Sequence, residues 1–217
     1  MSAAVKGRLQ ETGRGLRFVT RLIFRPFAGY WELKHEHRGN PLSATIILLL
    51  TVLTRIFNRQ YCGYYFSTYD PKSFNIFTEI ATVLVPFFLW VVANWCLTTL
   101  MDGEGSMKDI YVATAYALSP YVLIMVPLTI ISNGLCMQEA TYYYFFTGFA
   151  LVWMGLLIFI GSMITHQYEL LKSVVSCLLT ILGMCIIVFI AMLFYNLIQH
   201  VIAFVMSSAR ELSFRFY

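Results

Sequence analysis

Residues 173–209 read SVVSCLLTILGMCIIVFIAMLFYNLIQHVIAFVMSSA, a run without a single Asp, Glu, Lys or Arg. Wholly helical, it would extend about 55 Å at about 1.5 Å per residue, well beyond the roughly 30 Å hydrocarbon core of a bilayer. Such a helix must tilt or project outward past Asn196. Residues 46–50 and 186–190 are apolar without alternation, whereas barrel strands alternate lipid-facing and lumen-facing side chains. Lipid offers no water to complete backbone hydrogen bonds, so helices are the remaining way across.

Working outward, four more charge-poor stretches appear: 39–54, 80–101, 110–138 and 140–168, the last uncharged when His166 is neutral. The first is short, but Arg55 can snorkel its guanidinium to the interface and let Ile56 and Phe57 extend the span. These stretches predict transmembrane helices over about 41–58, 78–101, 111–132, 142–164 and 174–198. Composition agrees: 59% of residues are hydrophobic and 12% charged, against about 25% charged in soluble globular domains. The expected fold is all-α, a polytopic membrane bundle of five spans preceded by an amphipathic interfacial helix. The expected division is a basic segment over 1–40, a membrane domain over 41–206 and a short tail over 207–217.

The charge is unevenly spread. Lys6, Arg8, Arg14, Arg17, Arg21, Arg25, Lys34 and Arg38 all precede the first span. No uninterrupted apolar core precedes a small-residue cleavage site there, so the segment is expected to be retained. Counting Lys and Arg near span ends favours an inner N-terminus and an outer C-terminus. On a helix Arg14, Arg17, Arg21 and Arg25 form one stripe, opposite Leu16, Val19, Ile23, Phe27 and Tyr30. That pattern suits a helix lying in the interface with its cations toward anionic headgroups, and Pro26 must kink or break it. Arg14, Arg17, Arg21, Arg25, Phe27 and Trp31 are the expected membrane-surface contacts. Nucleic acid is not an expected partner.

Residues that carry chemistry are scarce. Glu79 opens the second span, where it is expected to reach headgroup water. His166 and Glu169 fall in the turn before the fifth span, and Asn196 with His200 toward the far end of the last helix. Asp102, Glu104 and Asp109 could bind a divalent cation, but a hard-cation site needs about six oxygens at defined geometry. Gly103 and Gly105 suggest a tight turn, with Ser106 as N-cap and Asp109 as its capping-box partner; a salt bridge from this acidic cluster to the N-terminal arginines is testable. The five cysteines show no metal spacing, though a disulfide between Cys62 and Cys136 is allowed by topology. No catalytic motif appears. No catalytic, metal or cofactor residue is therefore assigned. Pro120 and Pro127 predict a broken or strongly bent third span, and Gly155 and Gly161, with Ala150, allow close packing in the fourth.

The segment GEGSMKDIYVATAYALSP over 103–120, with Tyr116-Ala117-Leu118-Ser119-Pro120 as a Tyr-x-x-x-Pro signature, resembles the Yip family of Ypt/Rab-interacting membrane proteins. Arg25-Pro26-Phe27 through Trp31 is similar to that family's N-terminal block, and the likeness extends over roughly 20–206. It marks Gly103, Gly105, Ser106, Tyr116, Ser119 and Pro120 as motif and partner-contact candidates. Eukaryotic members carry a longer polar region with an Asp-Leu-aromatic-Gly-Pro motif; Phe24 through Trp31 stand here without its acidic start, so binding of small GTPases does not carry over. The compact form resembles prokaryotic members, similar to accessory components beside carbohydrate ABC-transporter genes.

The resulting expectation is a non-enzymatic, multi-pass protein of the cell membrane with a cytoplasmic N-terminus. A Golgi or endoplasmic-reticulum location is the alternative if the source is eukaryotic. It would act as an accessory or scaffolding subunit, its partners being anionic headgroups and other membrane proteins, ABC-transporter permease subunits among them. A transporter or channel is the second reading and needs polar groups converging at midplane, for which Asn94, Thr98, Ser119 and Ser132 are the candidates. Trafficking through small GTPases is the third.

Overall fold

The computed structural model describes residues 18–36, 39–66 and 75–215. Residues 18–24 are helical, and seven helices follow: α1 Pro26–His35, α2 Pro41–Tyr61, α3 Ile76–Leu100, α4 Met107–Ala117, α5 Ser119–Ser132, α6 Ala140–His166 and α7 Leu170–Arg215. No strand occurs among the described residues. Five stretches are long and apolar enough to cross a membrane: α2, α3, α4 with α5, α6 with the 3-10 turn that leads into it, and α7. The five-span all-α bundle anticipated from charge-free stretches is thus present.

The helix starts follow capping rather than hydropathy. Asn40 accepts from the Leu42 amide at 3.1 Å with Pro41 in the first turn, and Asn75 accepts from the Phe77 amide at 3.0 Å. Ser106 and Asp109 form the reciprocal capping box that opens α4. Each cap satisfies amide donors that the first turn leaves without partners. Consequently α3 and α4 begin two and four residues before the apolar stretches suggested, and α7 also begins four residues early.

The third span is interrupted at Leu118, as its prolines required. Pro120 has no N–H to give the Tyr116 carbonyl four residues earlier, a loss that breaks a helix in lipid unless another donor replaces it. A backbone amide at the helix end donates to that carbonyl, and the Ser119 hydroxyl adds a second donor at 2.7 Å.

This broken span is the centre of the molecule. Its most apolar window is 61% buried, against 6% for α7. Both α4 and α5 pack between α2 and α6, while α3 packs on α2, α4 and α7. Ala113, Ala115, Tyr116 and Ala117 of α4 meet Ala44, Ile47 and Leu48 of α2, and Leu157 of α6, in the main core. Small side chains on α4 let neighbouring backbones approach closely, the usual basis of helix association in lipid.

The N-terminal region departs from one continuous interfacial helix. It divides at Arg25, and α1 docks on α6 through buried Gly29, Tyr30, Glu32 and Leu33. Phe18 and Leu22, which blur the sequence stripe, are buried in the core, and Tyr30, assigned to the lipid-facing stripe, is 1% exposed. The Pro26 break allows this: it turns the chain so that Gly29 packs against Leu22. Phe24, Phe27 and Trp31 remain the exposed aromatic row.

Replacing Ser119 with alanine should remove the side-chain donor to the Tyr116 carbonyl beside the break. We expect a loss of about 1 kcal/mol in detergent unfolding, with Ser119→Thr close to wild type; equal stability of the alanine variant would show that the hydroxyl is not needed there.

Candidate functional site at the glycine-rich turn

Two helix ends meet beneath α1. The backbone turns out of α3 through Asp102 at φ 56°, with the Gly103 amide bonded back to the Thr98 carbonyl at 2.8 Å. It turns out of α6 through Gln167, also at φ 56°, with the Tyr168 amide on the Met163 carbonyl at 3.1 Å. Both are Schellman-type ends, in which one left-handed residue lets the following amides satisfy the last carbonyls. They bring the 102–106 turn onto His166 and Tyr168.

His166 is the centre of this arrangement and is 1% exposed. Its Nε2 lies 2.7 Å from Asn94 Oδ1, and Asn94 Nδ2 donates to Ser162 Oγ at 3.3 Å. With the Asn94 amide so oriented, Nε2 carries the proton and donates. Nδ1 then faces the glycine turn and has no hydrogen-bond partner among the described residues. The imidazole stacks on Tyr168 at 5.3 Å between centroids, and the Tyr168 hydroxyl donates to the Met101 carbonyl at 3.4 Å. Burial, followed by the Asp102 charge, raises the Tyr168 pKa.

The glycines are required by contact. A Cβ on Gly105 would lie 2.6 Å from His166 Nδ1, and one on Gly103 2.9 Å from Thr98 Cβ. Gly161 plays the same part higher on α6, where a Cβ would fall 2.9 Å from the Tyr30 ring. Tyr30 reaches past it to donate to the Ala113 carbonyl at 3.4 Å, and its enclosure pushes the phenol pKa well upward. Ala150 also packs at 0% exposure, whereas nothing approaches Gly155 within 4 Å.

Lys34 of α1 ties the two halves together. Its ammonium donates to the Thr165 carbonyl at 2.9 Å and reaches Glu104 at 3.5 Å. The acidic turn is therefore joined to the N-terminal region by a lysine among the described residues. Arg21 instead pairs with Glu32 at 2.8 Å within the N-terminal region itself.

The motif candidates fall into two groups. Gly103, Gly105 and Ser106 form the turn, while Tyr116, Ser119 and Pro120 are buried at the break, the Tyr116 hydroxyl beside Ser43. Of the surface set, Arg21, Phe27 and Trp31 are at least half exposed, and Arg25 is exposed at the N-cap position of α1 without a side-chain cap bond; Arg14 and Arg17 lie outside the described residues. Asn94, Thr98, Ser119 and Ser132 do not converge. Asn94 joins His166, Ser119 bonds Tyr116 across the break, and Ser132 receives the Gly63 amide at 3.0 Å near the other end. Asn196 and His200 are exposed on α7.

Two further readings change. Glu79 does not face headgroup water: it is 6% exposed and divides its carboxylate between Arg55 at 3.0 Å and Arg59 at 2.9 Å. Hydropathy could not show that partners on α2 stood opposite it, although Arg55 and Arg59 share one helix face at i, i+4 spacing. Cys62 and Cys136 are free thiols, and Cys62 donates to the Tyr143 hydroxyl at 3.3 Å. The His166–Asn94 pair was also missed, because its members are 72 positions apart. No group of three or more His, Cys, Asp and Glu able to hold a metal occurs among the described residues.

Five apolar spans, a broken one at their centre, closed at one end by a glycine turn on a buried histidine, define a multi-pass helical membrane protein. A family model described as the Yip1 domain matches residues 20–193, and the chain belongs to that family. No curated protein and no solved structure matches it.

Gly105→Val should force the turn off His166, lowering the unfolding midpoint in detergent and opening the chain near Lys108 to trypsin; a wild-type digest would contradict this packing. Tyr168 holds its proton more tightly folded than unfolded. Its contribution is therefore full below the ordinary phenol pKa of about 10 and declines as pH rises toward the folded value. Wild type should lose stability on that alkaline limb more steeply than Tyr168→Phe, as followed by unfolding at stepped pH.

Proposed function

We propose that this Yip1-domain protein is a non-enzymatic accessory or scaffolding subunit of a membrane complex and works by protein–protein contact. The observation that carries this reading is α7. It has 46 residues, and its side chains are almost all exposed from Cys185 to Met206. At about 1.5 Å per residue it is about 69 Å long, more than twice the bilayer core. Helix tilts of up to about 40° do not absorb that excess. Leu197, Ile198, Val201, Ile202, Phe204 and Val205 would then extend beyond the core as exposed apolar surface. Contiguous apolar surface of this kind marks an interaction site.

A second contact surface lies at the glycine-turn end. There α1 and the acidic turn, distant in sequence, are joined through Lys34 and Glu104, with Phe24, Phe27 and Trp31 exposed alongside. With the N-terminus on the cytoplasmic side, the orientation that the Lys/Arg distribution favours, this surface meets anionic headgroups and cytoplasmic elements of the partner. An ABC-transporter permease for carbohydrate is the partner class that the family resemblance suggests.

Affinity purification from native membranes in mild detergent should recover a stoichiometric membrane partner. Truncation after Asn196 should abolish that recovery while leaving the folded bundle. Reconstituted alone in liposomes, the protein should move neither ions nor sugars; flux without a partner would overturn the reading in favour of a transporter.

A further inference from the structure

We propose that the cavity beside the broken span binds one anionic phospholipid, its acyl chain in the cavity and its phosphate on Arg55. The cavity measures about 380 Å³, within the roughly 300–1,000 Å³ range of ligand sites. Pro86, Phe87, Met154, Ile158 and Met184 supply most of its apolar wall, from α3, α6 and α7. All of these lie within spans, and exposed Thr82 and Pro86 mark the side on which it opens toward lipid.

The polar groups around it decide what it takes. Thr51, Thr82 and Thr114 also line it, but their hydroxyls donate to Ile47, Thr78 and Ile110 carbonyls at 2.7–2.8 Å. Those donors are spent within their own helices, so this wall offers little to water, which needs two to four polar partners. Arg55 and Tyr121 remain, side by side at one end. The Arg55 Nε is bonded to Glu79, a carboxylate it shares with Arg59, and its side chain is 29% exposed. A planar guanidinium has five N–H donors, so some remain for phosphate after Glu79 and Tyr121 are served. Arg55 stands about 9 Å of helix from the Tyr61 end of α2, at a depth a headgroup reaches. A second cavity, about 370 Å³ and lined by Leu123, Pro127, Tyr142 and Phe146 among others, carries no charged side chain. It offers a lipid chain space without preference for the headgroup.

The test uses full-length protein stripped of lipid in mild detergent, re-equilibrated with equal amounts of phosphatidylglycerol and phosphatidylcholine of the same acyl chains, and read by native mass spectrometry. Wild type should retain one phosphatidylglycerol per chain, preferred by at least about tenfold, the scale of one charge-assisted contact. Arg55→Gln should bring the two lipids to equal retention. Because that change also disturbs the Glu79 pair, Thr82→Trp provides an independent arm. It narrows the opening while keeping all three charges of the ion pair, and should lose the bound lipid at an unchanged unfolding midpoint. Arg21→Gln with Arg25→Gln should keep the lipid, which separates this site from headgroup attraction at the opposite end. Equal retention of both lipids by wild type, persistence of the adduct in Thr82→Trp, or its loss in the Arg21/Arg25 variant would each overturn the proposal.

Discussion

The hydrogen bond from Ser119 to the Tyr116 carbonyl is the small contact on which much of the bundle rests. A proline in a lipid-embedded helix frees a carbonyl that no water can reach, and an unsatisfied group there costs several kcal/mol. Here the Ser119 hydroxyl and a backbone amide at the end of α4 both donate to that carbonyl, so it is satisfied across the break. The break lies where α4 and α5 each pack between α2 and α6. It also leaves, beside Leu118 and Tyr121, the cavity to which α2, α3, α6 and α7 contribute.

The two ends of the bundle solve the problem of buried polar groups differently. At the glycine turn, neutral partners are chained together: His166 to Asn94, Asn94 to Ser162, with Lys34 capping the Thr165 carbonyl from outside. At the other end charge is buried with its complement, Glu79 between Arg55 and Arg59, beside a network of Asn58, Thr129 and Tyr143. Removing one member of a buried ion pair typically costs about 3–5 kcal/mol, because the remaining charge is left without compensation. The helices α2 and α3 are therefore pinned by electrostatics at one end, while α3 and α6 are pinned by hydrogen bonds at the other.

Much of this was legible along the chain. The five spans followed from missing charge, the α4 capping box from Ser106 and Asp109, and the broken span from Pro120. These are local signals, in which a residue's own chemistry or that of a neighbour within four positions fixes the outcome. The readings that changed concern residues whose partners are remote. Glu79 looked interfacial because Arg55 and Arg59 lie on another helix, and Tyr30 looked lipid-facing because Gly161, which makes room for its ring, stands 131 positions later. Phe18 and Leu22 blurred a stripe only while one surface was assumed for the whole segment; the break at Arg25 gives its two halves different surroundings.

By itself, then, the sequence determined the solvent, the number of crossings and where the helices cap and break. Each of those depends on hydropathy summed over a short window or on a donor lost to proline. Only the tertiary structure decided that His166 is enclosed with Asn94, that Gly103 and Gly105 are spaces for neighbouring side chains, and that α7 stands largely outside the bundle. Pairing across helices is set by which faces meet in three dimensions, and in lipid those faces are chosen by close packing and a few polar contacts rather than by hydrophobicity. An apolar residue reads the same in sequence whether it faces lipid, a cavity or another helix.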